Sequence, residues 1–282
     1  MNNRIIENET FPLERALYNL QDAKLINCIF AGAEDGESAL KETRNISVNK
    51  CTFDLRYPFW HGIDFSIDKS VFNKTSRAGM WYGKKGTISD TDVTSVKFLR
   101  ECTDIDIKNS SFDSEEFGWK CSDIRMDNCS ITSPYAFLDS EDITLNSVKF
   151  SGKYSFQYIK NLVITDSILD TKDAFWHTKN ATVKNSIIKG EYLAWFSENL
   201  TLINCTIIGI QPFCYCKNLK LINCTMEKAN DAFEYSDVEA DVKGHIDSIK
   251  NVRSGKIICD SVGEIINKDQ VYECTGKVEI RG

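Results

Sequence analysis

The segments Asn218-Leu-Lys-Leu-Ile-Asn-Cys-Thr-Met226, Asn199-Leu-Thr-Leu-Ile-Asn-Cys-Thr-Ile207 and Asn180-Ala-Thr-Val-Lys-Asn-Ser-Ile-Ile188 are one pattern repeated at steps of 19 residues. The same step finds Asn161–Leu169, Asp142–Phe150, Asp123–Ile131 and Asp104–Phe112, so the register is unbroken for seven copies. With small insertions it continues upstream through Lys85–Val93, Asp64–Phe72, Asn45–Phe53 and Asp22–Phe30, which makes eleven copies. Each copy reads Asn/Asp, apolar, polar, apolar, polar, Asn-like, Cys/Ser, variable, Phe/Ile. Alternation with period two sends successive side chains to opposite faces and means strand. Two columns, Ile105/Ile124/Ile143/Leu162/Leu200/Leu219 and Ile107/Met126/Leu145/Ile164/Val183/Leu202/Leu221, therefore face a core. After a bend, Phe112/Ile131/Phe150/Leu169/Ile188/Ile207/Met226 join them. A further column, Phe59, Met80, Leu99, Phe137, Phe156, Phe175 and Phe213, reads as a third strand.

Three short strands in 19 residues with no helical stretch describe one coil of a parallel β-helix. A leucine-rich repeat would place its Asn three residues after the last Leu and follow it with a helical turn, whereas Leu221 precedes Asn223 by two and strand follows. A left-handed β-helix would need a six-residue rhythm, which is absent, and crossovers between parallel strands favour the right hand. The expected fold is all-β, a right-handed parallel β-helix of about eleven coils. Residues 1–237 hold the helix, with Asn8 to Leu20 capping its first coil. In residues 238–282 the register decays into short apolar runs that read as irregular β coils or a cap of the same domain.

The composition narrows the functional classes. Lys+Arg 34 against Asp+Glu 41 gives a net charge of −7 with no basic block, so a nucleic-acid backbone would mostly be repelled. No run of eighteen apolar residues exists to cross a membrane. The polar start Met1–Glu14 lacks the apolar centre of a signal peptide, and a cytoplasmic location is expected.

Most polar columns have a folding role. Asp22, Asn45, Asp64, Asp104, Asp123, Asp142, Asn161, Asn180, Asn199, Asn218 and Asp237 share one corner, where short amide and carboxylate side chains tolerate a left-handed backbone. Asn27, Asn109, Asn128, Asp166, Asn185, Asn204 and Asn223 share the next. The chain has 11 cysteines. Cys28, Cys51, Cys129, Cys205 and Cys224 alternate with Ser70, Ser110, Ser167 and Ser186, and Cys102, Cys121 and Cys216 alternate with Ser140 and Ser197. Interchange with Ser marks small, buried, structural positions. Cys214-x-Cys216 is a poor chelate, and neither a metal nor a cofactor is expected.

The column after the Phe column is not explained by folding. All 5 tryptophans, Trp60, Trp81, Trp119, Trp176 and Trp195, fall in it, with Tyr57, Tyr135, Tyr154 and Tyr192 three residues earlier. If the Phe column faces in, the Trp column faces out as an aromatic strip. Such a strip could stack on an extended polysaccharide or form a protein interface, a homo-oligomer included; equally, it could be covered or part of the core. One residue further stand His61, Tyr82, Glu101, Lys120, Asp139, Tyr158, His177 and Tyr215. The two histidines lie six coils apart, roughly 29 Å at about 4.8 Å per coil, too far for one site. Glu101, Lys120 and Asp139 on successive coils are the candidate acid/base group, with a surface charge ladder as the alternative. The candidate ligand-binding set is Trp60, His61, Trp81, Tyr82, Trp119, Trp176, His177 and Trp195.

With its Asn ladder, the coil pattern resembles the pectate-lyase-like right-handed β-helices, a superfamily rich in polysaccharide lyases and glycoside hydrolases. The chain is also similar to a family of uncharacterised bacterial β-helical proteins of about this length that carry a Leu-Tyr-Gly motif, a domain of unknown function. Here Leu17-Tyr18 is followed by Asn19, a departure from the motif, and Trp81-Tyr82-Gly83 is a near-echo of it. The resemblance implies the fold and no particular activity. Enzymes of the superfamily bind Ca²⁺ through clustered acids or set several Asp close together on adjacent coils. Glu101 and Asp139, two coils apart, reproduce neither, so no family catalytic residue carries over. Binding, or modification, of an extended carbohydrate is the favoured expectation, and a non-catalytic interaction scaffold is the rival.

Overall fold

A computed structural model describes residues 4–33 and 36–282. The three-residue 3-10 turn Lys74–Ser76 is the only helix among the described residues. The chain falls into two compact units, Met1–Thr144 and Leu145–Gly282, and its architecture is a parallel β-solenoid.

In the unit Met1–Thr144, strands Arg4–Glu7, Gln21–Ile26, Arg44–Asn49, Ile63–Asp68, Lys84–Ser89, Thr103–Lys108 and Ser122–Asp127 form one parallel ladder. Its register pairs Ile105 with Ile124 and Ile107 with Met126, the columns read from the sequence. A second ladder runs through Ile29–Phe30, Thr52–Phe53, Val71–Phe72, Asp92–Phe98, Ser111–Phe117 and Ser130–Ser133. Inside it, the rings of Phe11, Phe30, Phe53 and Phe72 stack at 5.2, 4.8 and 4.5 Å. Gly86 breaks the apolar column because the Phe65 ring fills its side-chain space; a Cβ there would lie 2.2 Å from the ring. The segment expected to cap the first coil is itself laid down as a coil: Thr10 bridges Ile29, and the Leu17 and Asn19 N–H groups donate to Ala39 O and Lys41 O at 3.0 and 2.9 Å.

In the unit Leu145–Gly282 the corresponding ladder is Lys160–Thr165, Lys179–Lys184, Glu198–Ile203, Leu219–Glu227, Asp237–Lys243, Ser254–Cys259 and Lys277–Ile280. The count of coils is about 14 rather than eleven. Parallel pairing continues past Asp237, but Asp237 pairs with Ser254 and Lys256 with Lys277, steps of 17 and 21 that hide these coils from a search at a fixed 19.

Every residue of the four predicted core columns is buried. Each such aliphatic or aromatic side chain removed from water contributes about 1.5–3 kcal/mol. The third strand needs correction. In Met1–Thr144 it exists in part, as Phe59–Trp60 paired with Met80–Trp81 and as the ends of Asp92–Phe98 and Ser111–Phe117. In Leu145–Gly282 strand returns on that side as the ends of His245–Lys250 and Ser261–Ile266, while the coils from Tyr154 to Cys216 carry none. Positive φ values alternate there, at Tyr154, Phe156 and Tyr158, at Asp173, Phe175 and His177, and at Tyr192, Ala194 and Phe196, each between 53° and 63°. A pleated strand needs negative φ at every residue. Coils still bond across this side: Phe175 N–H donates to Ser155 O and His177 N–H to Trp195 O, both at 3.0 Å.

The Cys/Ser columns follow one hydrogen-bonding rule. Cys51, Ser70, Ser110, Cys121, Ser140, Ser167 and Ser186 each accept a backbone N–H from the previous coil and donate to a backbone carbonyl, as Ser167 does in accepting Val148 N–H at 3.0 Å and donating to Thr165 O at 2.7 Å. Cysteine obeys the same rule, with Cys28 N–H on Cys51 Sγ at 3.3 Å and Cys51 Sγ on Asn49 O at 3.4 Å. Burial pushes the Cys51 and Cys216 thiols up to about 11, so they stay protonated donors. Replacing Ser167 by Ala strands a buried N–H and is expected to cost about 1–3 kcal/mol. Ser167→Cys should lose less than half of that; equal losses for the two variants in urea denaturation would contradict the rule.

Candidate functional site: the lateral aromatic face

The tryptophan column points outward, as its parity predicts, and Trp60, Trp81, Trp119, Trp176 and Trp195 are all half-buried. Four of the five indole N–H groups are bonded within the face. Trp119 donates to Tyr135 O, Trp176 to Tyr192 O at 2.7 Å and Trp195 to Gln211 O at 2.9 Å, a carbonyl of the next coil in each case. Trp81 donates to Glu101 Oε1 at 3.3 Å. Trp60 Nε1 is buried without a partner, and Lys41 Nζ lies 5.4 Å above its ring. The strip is thus neither core nor loose surface but a set of rings pinned at fixed orientation.

On Met1–Thr144 the row is Trp60, Trp81, Arg100 and Trp119, since Arg100 holds the position that its neighbours give to Trp. Its guanidinium lies 5.2 Å from the Trp81 ring and 5.0 Å from the Trp119 ring, a cation between two indoles. Arg100 also binds Glu116 at 2.7 Å, and Lys97 reaches the same carboxylate at 3.3 Å. Trp60 meets Trp81 edge to face at 5.5 Å, and His61 stacks on Tyr82 at 4.7 Å. Sequence alone does not single out Arg100. Its one mark is that, like Lys41 three coils earlier, it is a cation standing in the column of the tryptophans.

Glu101, Lys120 and Asp139 occupy successive coils, as the register requires. All three are left-handed, with φ of 52–53°, which makes their column the third corner of the coil. Among the described residues no ion pair joins them, Glu101 is engaged by Trp81, and Lys120 and Asp139 are exposed. The structure therefore gathers them in a line without forming an acid/base pair from them. Among the described residues no three His, Cys, Asp or Glu side chains gather as a metal site would require.

On Leu145–Gly282 the same corner carries stacked rings. Tyr158 on His177, His177 on Phe196 and Phe196 on Tyr215 lie 4.9, 5.1 and 4.8 Å apart and within 11° of parallel. Phe196 is 41% exposed yet has rings on both faces. Trp176 and Trp195 likewise stack at 5.4 Å. Between Tyr154 and Tyr192 in the tyrosine column stands Asp173, which sequence reading passed over. It is 7% exposed, and among the described residues its carboxylate has no hydrogen bond or ion pair, while the adjacent Lys172 is bound to Glu191 at 2.8 Å. Burial raises the Asp173 carboxyl above the ordinary range; Glu191 adds to this, and Lys172 and Lys153 oppose it.

These features define a class: a parallel β-solenoid whose lateral face is built from hydrogen-bonded and stacked aromatic rings. The chain belongs to the family described as "Protein of unknown function (DUF3737)", which matches it over residues 4–280. No curated protein matches the sequence. Among solved structures it is similar to the A-module of mannuronan C-5 epimerase AlgE6 of Azotobacter vinelandii, with 11% identity over 98% of this chain and 90% of that one and a TM-score of 0.38. A mutant tailspike protein of E. coli bacteriophage HK620 in complex with a pentasaccharide gives 9% identity, 97% and 72% coverage and 0.46. An exopolygalacturonase from Thermotoga maritima gives 9%, 98% and 82%, and 0.30. Likeness at this level concerns the fold.

The unpartnered Asp173 generates a pH prediction. A carboxyl whose pKa is higher folded than unfolded contributes stability that is complete below the unfolded value and lost as pH rises through the folded one. Asp173→Asn removes the ionisation, so it should raise the melting temperature at pH 7 and change it little at pH 3. A destabilised variant at pH 7 would mean the carboxylate has a partner that its surroundings do not reveal.

Proposed function

We propose that this protein is a non-catalytic binder of an extended carbohydrate, met along the lateral face of the unit Met1–Thr144. The observation that carries this reading is the row Trp60, Trp81, Arg100 and Trp119: four planar groups on successive coils, the last three fixed by Glu101, Glu116 and the Tyr135 carbonyl before any ligand arrives. Groups ordered in advance lose little freedom on binding. Their repetition at the coil spacing suits a polymer more than a compact molecule. Lys97, Arg100 and Glu116 supply donors and acceptors for hydroxyl groups beside the apolar rings. Binding without turnover is the better reading because Glu101, Lys120 and Asp139 stand in a row rather than as a facing pair across a bond. Buried thiols acting as hydrogen-bond donors between coils fit a reducing compartment, in keeping with a cytoplasmic protein.

A specific observation favours the rival on the other unit. The stacked corner of Leu145–Gly282 covers its ring faces and offers edges, which suit a protein surface better than a sugar ring. The test is intrinsic tryptophan fluorescence titrated with a neutral glucan oligomer, an oligogalacturonate and a chitosan oligomer, with light scattering on the same samples. Arg100→Ala and Trp119→Phe should each weaken the responding oligomer at least about tenfold with unchanged circular dichroism. If none of the three sugars alters the wild-type signal, and scattering shows an assembly that shields the indoles, the scaffold reading replaces this one.

A further inference from the structure

On the unit Leu145–Gly282 the backbone of Asp173 is fully engaged: its N–H donates to Glu191 O at 2.9 Å, and its carbonyl accepts Gln157 Nε2 at 2.8 Å. The carboxylate is the group left over. More than nine-tenths of the residue is covered, yet the carboxylate oxygens are not sealed off as Trp60 Nε1 is, and solvent reaches them. Nor does the coil ask for an acid at this place. Asp tolerates a positive φ by bonding the adjacent backbone. Asp173, at 53°, makes no such bond among the described residues, and Tyr154 and Tyr192 take 53° and 56° at the same place on the neighbouring coils.

The charged groups that face Asp173 are Lys172, Glu191 and Lys153. Lys172 is bound to Glu191 at 2.8 Å. Lys153 pairs with Lys172 in the strand register, has no ion pair among the described residues, and holds its Nζ 5.3 Å over the Tyr154 ring. With Asp173 these groups make two cations and two anions. An ammonium ligand would meet the lysines, and a carboxylate or phosphate would meet Asp173 and Glu191, so the balance favours a neutral ligand. One acceptor and one donor stand uncommitted side by side, and the group that serves both is a hydroxyl. We propose that Asp173 and Lys153 bind a neutral cyclic polyol, such as a sugar ring, two adjacent hydroxyls of which donate to the Asp173 carboxylate while one accepts from Lys153 Nζ. Hydrogen bonds to an ionised acceptor are roughly twice as strong as neutral ones, and two hydroxyls fixed on one ring lose less freedom than two waters. The acid that burdens the fold is thereby the group the ligand requires. This site stands apart from the carbohydrate reading of the other unit, and either holds if the other fails.

myo-Inositol presents cis and trans vicinal hydroxyls on one neutral ring; its hexa-O-methyl ether keeps every oxygen but donates nothing, and its monophosphate adds an anion. The full chain, labelled with ¹⁵N, is titrated with each at pH 7. myo-Inositol should shift amides in 153–157, 171–176 and 190–192 and bind about tenfold more tightly than either derivative. Asp173→Asn should fold more stably at this pH and yet lose about tenfold in affinity, a pairing that a purely structural role would not give. Arg100→Ala, which tests the reading of the other unit, should leave these shifts unchanged. Equal affinity for inositol and its ether, tighter binding of the phosphate, wild-type affinity in Asp173→Asn, or no shift at these amides would overturn the proposal and leave a carboxylate that only water reaches. Should the variant fail to fold, the comparison of the three ligands on the wild type decides alone.

Discussion

Each coil of this chain turns three corners, and at every corner an L-residue has to enter the left-handed region. The Asn/Asp column does so from Asp22 to Asn218 with φ of 49–58°, the second column from Asn27 to Asn223 with 47–55°, and the third from His61 to Tyr235 with 52–60°. Left-handed backbone costs roughly 1–2 kcal/mol per residue, and it recurs on nearly every coil, so the side chains at the corners must repay it collectively. At the first two corners this happens through amides: Asn199 Nδ2 donates to Asn180 Oδ1 at 2.9 Å and Asn218 to Asn199 at 2.8 Å, while Asn204 and Asn223 do the same at 3.1 and 2.7 Å. Position by position the 19-residue period is the spacing that brings these groups into line.

The third corner solves the same problem with different chemistry. Tyr and Phe are poor choices for positive φ because their side chains cannot hydrogen-bond the adjacent backbone as Asn does. Stacking on the coils above and below compensates, and each parallel ring contact adds about 0.5–1.5 kcal/mol beyond its buried area. The outward indoles take part as well, since each N–H given to a carbonyl of the next coil ties two turns together. Aromatic residues on this surface are therefore structural and accessible at once. That dual role is why exposure alone is a poor guide to function here, and why Phe196 is less informative than Arg100.

The period, the core columns, both amide ladders and the outward parity of the tryptophans were legible in the sequence, because each depends on identity repeated at a fixed step. Three features were not. The coils after Asp237 change their step while keeping their pairing, and parallel hydrogen bonds are indifferent to how long the outer bends are. The strandless third side of the coils from Tyr154 to Cys216 arises from alternating left-handed residues such as Phe156 and Phe175; bulky aromatics carry no sequence mark of positive φ, and their spacing matches that of a strand. Asp173 and Arg100 sit in columns that mix aromatic with polar residues, and only burial and contact distances distinguish them from the rest.

A solenoid supplies its own controls, because each position recurs on neighbouring coils with the same backbone and the same packing duty. A residue that conforms to its column needs no reason beyond the fold. Asp173, by contrast, sets between Tyr154 and Tyr192 a largely buried residue whose carboxylate has no hydrogen bond among the described residues, and Arg100 sets between Trp81 and Trp119 a guanidinium whose Nε is buried without an acceptor among them. Departures that add desolvation cost are where selection for something other than folding leaves its trace. Both lie on the lateral aromatic face, each within its own unit. This concentrates the functional case on that face rather than on the far more numerous acids of the amide ladders.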